Sequence, residues 1–139
     1  MTREEVLLAL RKAGIFYLAT VDADNRPKAR PYGFIMDYNG NLCFTTNENK
    51  PTYKQLMDNP YVEIVAMTSQ FGWLRIRGKA VKVTTEQSRQ HALKEMPMLV
   101  QNYAVYGGEF DVFALEEAVA DYYAFSERGE IMKQSENLD

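Results

Sequence analysis

The dipeptide Asn39-Gly40, set between two runs of strand-forming residues, constrains this chain more than any other feature. Asparagine and glycine accept the positive φ angles of a two-residue turn that joins antiparallel strands. Strands are therefore predicted over residues 27–36 and 42–46. The polar cluster at residues 22–25 predicts another tight turn, which follows a strand at residues 15–21. Strands joined by such short turns pair antiparallel, because parallel strands need long crossovers.

The rest of the chain alternates between strand patterns and short helices. Thr2 and Glu5 have the spacing of a helix capping box, and Pro51 stands where a second helix would begin. Helices are predicted over residues 2–13, from 51 to about 59 and from Thr84 or Thr85 to 95, and further strands over residues 62–68, 73–83, 110–115 and 120–125. Five to seven antiparallel strands in one domain must close or sandwich to hide their edges. We therefore expect an α+β fold, a small barrel with helices at its ends.

Size and composition narrow the class of protein. The 139 residues suit one domain, with residues 127–139 expected to be a loosely ordered tail. The one cysteine, Cys43, excludes an internal disulfide, which fits a cytoplasmic protein. One cysteine and one histidine are too few for a Cys/His zinc site, so no metal is expected. No apolar run has the length of about 20 residues that crosses a bilayer, and no signal peptide is recognisable, so no membrane partner is expected.

The net charge of −3 conceals a basic middle. Residues 26–82 carry 9 basic and 4 acidic side chains, whereas residues 83–139 carry 4 basic and 11 acidic side chains. A nucleic-acid-binding domain is usually basic as a whole, so this pattern favours a local anion site over a nucleic-acid surface. A solvated surface with a chance excess of cations is the alternative.

The residue pattern at positions 29–33 predicts a strand with a flat surface of small side chains on one side, which we call the shelf. Alternation places Ala29, Pro31 and Gly33 on one side of the strand and Arg30 and Tyr32 on the other. Small residues and a proline leave the surface low, so a flat ligand could lie against the backbone. The alternative is an edge strand whose proline prevents aggregation.

The segment Thr45-Thr46-Asn47-Glu48-Asn49-Lys50-Pro51-Thr52 is a candidate phosphate site. It leads from a strand end to the start of a helix, where free N–H groups attract anions. Lys50 would add a counter-charge and Thr52 a hydroxyl donor. The alternative is a polar turn in which Thr52 only caps the helix.

The strand Trp73-Leu74-Arg75-Ile76-Arg77-Gly78-Lys79 is a third candidate. Alternation places its tryptophan and its three cations on one face, where the cations require an anion or acidic side chains nearby. An oligonucleotide-binding barrel would use such a face, but the negative net charge counts against it. His91 and Cys43 are predicted to be a surface and a core residue, so no catalytic residue is assigned.

The order and spacing of these motifs resemble the FMN-binding split-barrel family, the pyridoxamine 5'-phosphate oxidase-like proteins. The similarity covers residues 1–127 and rests on the strand with Arg30, the hairpin, Phe44-Thr45-Thr46-Asn47, Lys54-Gln55-Leu56, Asn59-Pro60-Tyr61-Val62 and Arg75-Ile76-Arg77-Gly78-Lys79-Ala80. The segments Phe113-Ala114-Leu115 and Tyr123-Ala124-Phe125-Ser126 resemble the short bacterial branch near the nitroimidazole-resistance proteins.

This resemblance implies a six-stranded antiparallel split β-barrel with flanking helices. It also implies a homodimer that holds FMN in two clefts between the subunits. The cofactor-binding residues that it implies are Arg30, Pro31, Tyr32, Thr45, Thr46, Asn47, Lys50, Pro51, Thr52 and Trp73. Trp73 stands where the family often has a glutamine that reaches the flavin from the other subunit, so a tryptophan there replaces that contact and could stack on the ring.

The function implied by the resemblance is that of an FMN-binding, flavin-dependent oxidoreductase. Its small-molecule substrate is unidentified, and NAD(P)H is one candidate electron donor. Pyridoxamine 5'-phosphate oxidase grips its substrate with arginine- and proline-containing C-terminal residues, which the acidic residues 127–139 lack, so that substrate is not expected. The alternatives are a non-catalytic module that binds flavin or haem, and a protein that uses a deazaflavin.

Overall fold

The fold is an antiparallel sheet of eight strands with four helices at its margins, in a computed structural model that describes residues 1–139. The helices are α1 (Arg3–Ala13), α2 (Pro51–Asp58), α3 (Glu86–Glu95) and α4 (Leu99–Ala104). The strands are β1 (Phe16–Val21), β2 (Pro27–Tyr32), β3 (Met36–Tyr38), β4 (Asn41–Thr46), β5 (Tyr61–Ser69), β6 (Gly72–Lys82), β7 (Asp111–Phe125) and β8 (Ile131–Asn137). None of the helices is long and apolar enough to span a bilayer.

Local sequence signals set several element ends as predicted. The capping box of α1 is complete, because Thr2 accepts from the Glu5 backbone and Glu5 accepts from the Thr2 backbone. Asn39 and Gly40 have φ angles of 52° and 88° and form the turn between β3 and β4. Pro51 is the first residue of α2, where its missing N–H has no cost.

The strands lie in the order β2-β1-β5-β6-β7-β4-β3, and β8 pairs with β7. The sheet curls until the Tyr32 ring on β2 meets the Phe44 ring on β4 edge-on, 5.8 Å between centroids. The enclosed space holds a core of 21 buried residues, to which α1 adds Val6, Leu7 and Leu10. The predicted α+β split barrel is confirmed.

A second, smaller core fixes α3 and α4 on the outside of the barrel. Eight buried residues form it, among them Met36 of β3, Cys43 of β4 and Tyr103 of α4. The Tyr103 hydroxyl lies 3.0 Å from the Thr45 hydroxyl and donates to the Thr45 carbonyl at 2.9 Å. These contacts hold α4 beside the end of β4.

Three predictions about the strands are wrong. Residues 27–36 form two strands, because β2 pairs with β1 whereas β3 pairs with β4 near the other margin of the sheet, and residues 33–35 cross between them. Residues 110–115 and 120–125 belong to one strand, β7, which accommodates Glu117 at a φ of 53° as a local irregularity. The six strands implied by the resemblance are also too few, because the sheet has eight, including β8 at residues 131–137.

The segment after Phe125 was expected to be loosely ordered, and this expectation is also wrong. Residues 131–137 form β8, which pairs with β7 from Val119 to Phe125. Leu138 is buried, and its N–H donates to the Ala118 carbonyl at 2.9 Å. The polar composition of this segment concealed it, because β8 is an edge strand with nearly every residue exposed. The six-residue α4 was likewise not predicted.

Candidate functional site

Arg30 has only neutral hydrogen-bond partners. Its guanidinium donates to the Leu18 carbonyl at 3.1 Å and to the Thr20 hydroxyl at 2.8 Å, both on β1. It also donates to the Gln55 amide oxygen on α2 at 2.8 Å, and Thr20 donates to the same oxygen at 2.6 Å. Partial burial lowers the pKa of Arg30 from its usual value. Because guanidinium stays charged, a positive charge is fixed here without a carboxylate to neutralise it.

Lys50 lies among three tyrosine rings. Its ammonium is 5.9 Å from the ring centroid of Tyr32, 5.8 Å from that of Tyr103 and 5.1 Å from that of Tyr106. Burial lowers the pKa of Lys50 from its usual value, and the charge of Arg30 lowers it further. Cation–π contacts stabilise the charge in part but do not neutralise it. The two cations therefore repel each other across a place where an anion would relieve both.

Two buried hydroxyls on strands from opposite margins of the curled sheet have no hydrogen-bond partner of regular geometry. They are Oη of Tyr32, on β2, and Oγ1 of Thr46, on β4. Tyr32 is 8% exposed and Thr46 is fully buried. Burial raises the pKa of Tyr32, whereas the nearby Thr46 hydroxyl and the charge of Arg30 act to lower it. A buried hydroxyl without a partner costs about 1–3 kcal/mol, so such groups mark places where a polar atom is missing.

A cavity of about 220 Å³ is lined by Tyr32 and Lys50, whereas Arg30 and Thr46 lie outside its lining. One wall is formed by residues 31–34, with Thr45 and Lys50 at the base, and the other wall comes from α4 and its flanks, with Met96, Asn102 and Tyr106 among the lining residues. No carboxylate lines it. Ligand pockets usually measure about 300–1,000 Å³, so one chain by itself encloses less space than a cofactor normally occupies.

The loop after α4 is tied to the strand end by two asparagines. The Asn47 amide donates to the carbonyls of Gly107 and Glu109, both at 2.9 Å, and its oxygen accepts from the Asn49 backbone. Asn49 donates to the Tyr106 carbonyl at 2.8 Å. Asn47 is fully buried, so its amide holds the wall of the cavity and has no free group for a ligand.

The structure brings together most residues that the sequence singled out. Ala29, Pro31 and Gly33 are exposed, and Arg30 and Tyr32 point to the other side of β2, as the alternation predicted. Lys50 is the N-cap of α2 and makes no side-chain capping bond, so the alternative in which Thr52 caps the helix is wrong. Pro51 and Thr52 begin the first turn of α2; Pro51 has no N–H, and the Thr52 N–H is free.

Trp73 is the exception, because it lies apart from this cluster. It does not line the cavity; its ring stacks on Tyr123 of β7 with 5.1 Å between centroids and 7° between planes. Three strand pairings separate Pro31 from the row of β6 that carries Trp73. Within one chain, this residue and the cavity cannot act on the same small ligand.

Four residues of the cluster were missed by sequence reasoning: Thr20, Gln55, Tyr103 and Tyr106. Gln55 follows Thr52 by one helical turn, and that spacing is a signal that could have found it. The two tyrosines lie more than 50 residues from Lys50, Tyr103 on the six-residue α4 and Tyr106 in the turn that follows it.

The two arginines on β6 have acidic partners within the chain, in contrast to Arg30 and Lys50. Arg75 donates to both carboxylate oxygens of Glu63, at 2.8 and 3.1 Å. Arg77 donates to Asp121 at 2.7 Å. For these two arginines, the acidic side chains that the sequence pattern called for are supplied by the chain itself.

Comparison with known proteins agrees with the family resemblance of the sequence motifs. Residues 2–124 match the pyridoxamine 5'-phosphate oxidase family. The crystal structure of a NimC/NimA family protein from Clostridium acetobutylicum is 32% identical, with a TM-score of 0.82 over 96% of this chain and 91% of that chain. A comparison with curated protein sequences found no match.

Two more distant structures share the fold. A pyridoxamine 5'-phosphate oxidase-related, FMN-binding protein from Nostoc punctiforme is 18% identical, with a TM-score of 0.61 over 97% of this chain and 96% of that chain. The haem storage protein HutZ from Vibrio cholerae is 16% identical, with a TM-score of 0.62 over 81% of this chain and 87% of that chain.

Proposed function

The chain belongs to the pyridoxamine 5'-phosphate oxidase family, and from that premise we propose that it binds FMN and acts as a flavin-dependent oxidoreductase on a small molecule. One observation carries the proposal: Arg30 and Lys50 stand without a carboxylate partner beside two buried, unpaired hydroxyls. A phosphate monoester supplies both the negative charge and the acceptor oxygens that this cluster lacks. The residues present therefore fit the phosphate end of FMN.

Each part of the cleft has a role in this proposal. Arg30 and Lys50 hold the phosphate, with the free N–H of Thr52 in the first turn of α2 beside them and Pro51 fixing the start of that turn. The end of β4, at Thr45 and Thr46, lies along the chain between phosphate and ring, and Thr45 lines the cavity. The exposed shelf of β2 leaves its backbone open to the flat ring. The bound flavin supplies hydride or electron transfer, and the protein positions it.

We further propose that the active form is a homodimer with the flavin at the subunit interface. The cavity of one chain, about 220 Å³, is smaller than usual ligand pockets. An exposed apolar stripe also begins at its edge, because Pro31 lies opposite Tyr17, and Tyr17 lies opposite Val65 on the outer face of the sheet. Tyr17 is 50% exposed and Val65 is 38% exposed. A second copy on this stripe would cover it and close the cleft.

The first test is the absorption spectrum of the purified protein together with the mass of any released ligand. We expect a two-band flavin spectrum and the mass of FMN. A haem spectrum instead would favour the alternative suggested by the haem storage relative. The only histidine, His91, does not line the cavity, so an iron ligand would have to come from another residue type.

A second test separates phosphate recognition from ring recognition. Riboflavin has the same ring as FMN but no phosphate, so we expect FMN to bind about 100-fold more tightly. Titration of apoprotein with both compounds measures the ratio. Equal affinities would refute the assignment of Arg30 and Lys50, whatever the colour of the protein.

Anaerobic reduction of the bound flavin tests whether the protein is an enzyme. Rapid reduction by NADH or NADPH, followed by reoxidation with an added acceptor, is the expected result. A flavin that neither donor reduces would favour a binding module. Pyridoxamine 5'-phosphate is the matched negative substrate, because the residues after Phe125 pair with β7 as β8 and do not reach the cleft.

A further inference from the structure

Gln55, on α2, accepts two hydrogen bonds at a single atom. Its Oε1 accepts from Nη2 of Arg30 at 2.8 Å and from the Thr20 hydroxyl at 2.6 Å. Nη1 of Arg30 donates to the same Thr20 hydroxyl at 2.8 Å. The three side chains therefore close a ring of hydrogen bonds that joins β1, β2 and α2.

The chemistry of the guanidinium fixes the direction of every bond in this ring. A guanidinium only donates, so the Gln55 atom that faces Arg30 is the amide oxygen and not the amide nitrogen. The Thr20 hydroxyl accepts from Arg30 and donates its own proton to Gln55. Gln55 thus acts in the ring as an uncharged acceptor of fixed position.

The ring leaves part of the Arg30 guanidinium free for a ligand. Both N–H groups of Nη1 are used, on the Leu18 carbonyl and the Thr20 hydroxyl, and one N–H of Nη2 is used on Gln55. The N–H of Nε and the second N–H of Nη2 remain. Paired N–H groups of a guanidinium bind two oxygens of a phosphate side by side. Gln55 therefore orients Arg30 without consuming the donors that a phosphate needs.

A carboxylate at position 55 would make the same ring. A glutamate has an oxygen where Gln55 has Oε1, and its bond to Arg30 would be charge-assisted and stronger. Geometry alone therefore does not require a glutamine. The difference is charge, because a glutamate would neutralise Arg30 as Glu63 neutralises Arg75. With glutamine, Arg30 and Lys50 together keep two positive charges, which match the charge of about −1.5 to −2 on a phosphate monoester at neutral pH.

We propose that Gln55 is a positioning residue that sets the specificity of the cleft for a phosphate monoester. It holds the Arg30 guanidinium in place and leaves its charge available, so it acts on the ligand through Arg30. The inference rests on the proposed function and adds to it the residue that keeps the phosphate site both ordered and cationic.

Two substitutions of Gln55 separate its charge from its hydrogen bonds. Gln55→Glu keeps the acceptor and adds a negative charge, whereas Gln55→Met stays neutral and removes the acceptor. In fluorescence titrations of apoprotein, Gln55→Glu is expected to weaken FMN about 30-fold and Gln55→Met about fivefold. A residue that only held α2 on the sheet would give the opposite order, because the glutamate keeps both bonds. Riboflavin has no phosphate, so its affinity is expected to change by less than about twofold in either variant.

Three controls accompany these titrations. Asn59→Asp adds the same charge at the C-cap of α2, where the Asn59 side chain accepts from the Tyr61 N–H, and is expected to change FMN affinity by less than about twofold. Thermal unfolding without ligand checks the fold, and Gln55→Glu is expected to melt at or above the wild-type temperature because it pairs with Arg30. In an Arg30→Ala background, Gln55→Met is expected to have no further effect on FMN.

Different outcomes overturn different statements. Wild-type affinity for FMN in Gln55→Glu would refute the role of an uncharged acceptor, and a greater loss in Gln55→Met than in Gln55→Glu would leave Gln55 a structural residue only. A further loss from Gln55→Met in the Arg30→Ala background would show that Gln55 does not act through Arg30. In these cases the proposed function would stand. Wild-type protein that does not distinguish FMN from riboflavin would refute the phosphate assignment and this inference with it.

Discussion

Two pairs of basic residues in this molecule have opposite chemical surroundings. Arg75 and Arg77 on β6 each bind a carboxylate, Glu63 and Asp121 respectively. Arg30 on β2 and Lys50 before α2 have neutral hydroxyl, amide and aromatic neighbours. The first pair is neutralised within the chain, and the second pair concentrates positive charge beside a cavity.

This difference in partners indicates which basic residues of the chain are available to bind an anionic ligand. A paired arginine would have to break a bond to bind an external anion, whereas the partly buried, unpaired cations gain one without any loss. The lowered pKa of Lys50, caused by burial and by Arg30, reports the same unfavourable concentration of charge. We expect substitutions in the two pairs to separate ligand binding from stability.

The largest expected effect is that of Arg30→Ala on FMN affinity. Removal of a hydrogen-bonding charge from a buried phosphate site is expected to weaken FMN about 100-fold in a fluorescence titration. The remaining Thr20–Gln55 bond of 2.6 Å keeps α2 attached to β1, so the variant is expected to fold. Arg75→Ala is the matched control and is expected to change the affinity by less than about twofold. Equal losses in both variants would erase the distinction between the pairs.

Lys50→Met is expected to weaken FMN about tenfold, less than Arg30→Ala. A lysine supplies a point charge without the paired geometry of a guanidinium, so its removal costs less. Lys54→Met is the control on the same helix, because Lys54 is exposed and bonds Asp58. The distinction would fail if Lys54→Met reduced the affinity as much as Lys50→Met.

The affinity for FMN is expected to fall by a factor of several as the pH rises into the alkaline range. Lys50 has a lowered pKa in the free protein, and a bound phosphate holds its proton, so the complex binds more protons than the free protein in this range. Affinity therefore decreases as pH rises from the lowered pKa. Lys50→Arg keeps its charge and is expected to bind with no such decline, which isothermal titration at several pH values measures.

The smallest effect concerns the paired cations and is one of stability. Asp121 accepts from Ser135 at 2.6 Å and from Arg77 at 2.7 Å, and these bonds, that of Ser135 first, lower the pKa of Asp121. Asp121→Asn is expected to reduce the free energy of unfolding by about 1 kcal/mol at neutral pH. The stabilisation by Asp121 is fully present above the ordinary carboxyl pKa and is lost as the pH falls through the lowered pKa of Asp121 in the folded protein. The free energies of unfolding of wild type and variant should therefore become equal in acid. A constant difference from neutral to acidic pH in denaturant unfolding would contradict this.

Much of the candidate site followed from the sequence, and the missing parts share a cause. Arg30, Tyr32 and Thr45 lie on strands whose alternation and turns are local properties, so their places on those strands could be inferred, whereas their grouping in one site came from the family resemblance. Tyr103 reaches the site from a helix of only six residues, stabilised by packing on β3 and β4 and by little else. Short helices depend on tertiary contacts because helix nucleation costs free energy, so no local sequence pattern predicts them.

The turns, the helix starts and the faces of the strands could be inferred from local residues, because caps, positive φ angles and alternation depend on residues a few positions apart. Long-range contacts determine that β7 is one strand, that β8 is ordered, and which cations have carboxylate partners. Arg77 and Asp121 are 44 residues apart, and Lys50 and Tyr106 are 56 apart. Contacts over such separations arise when the sheet curls and its margins approach, and no local spacing in the sequence encodes them.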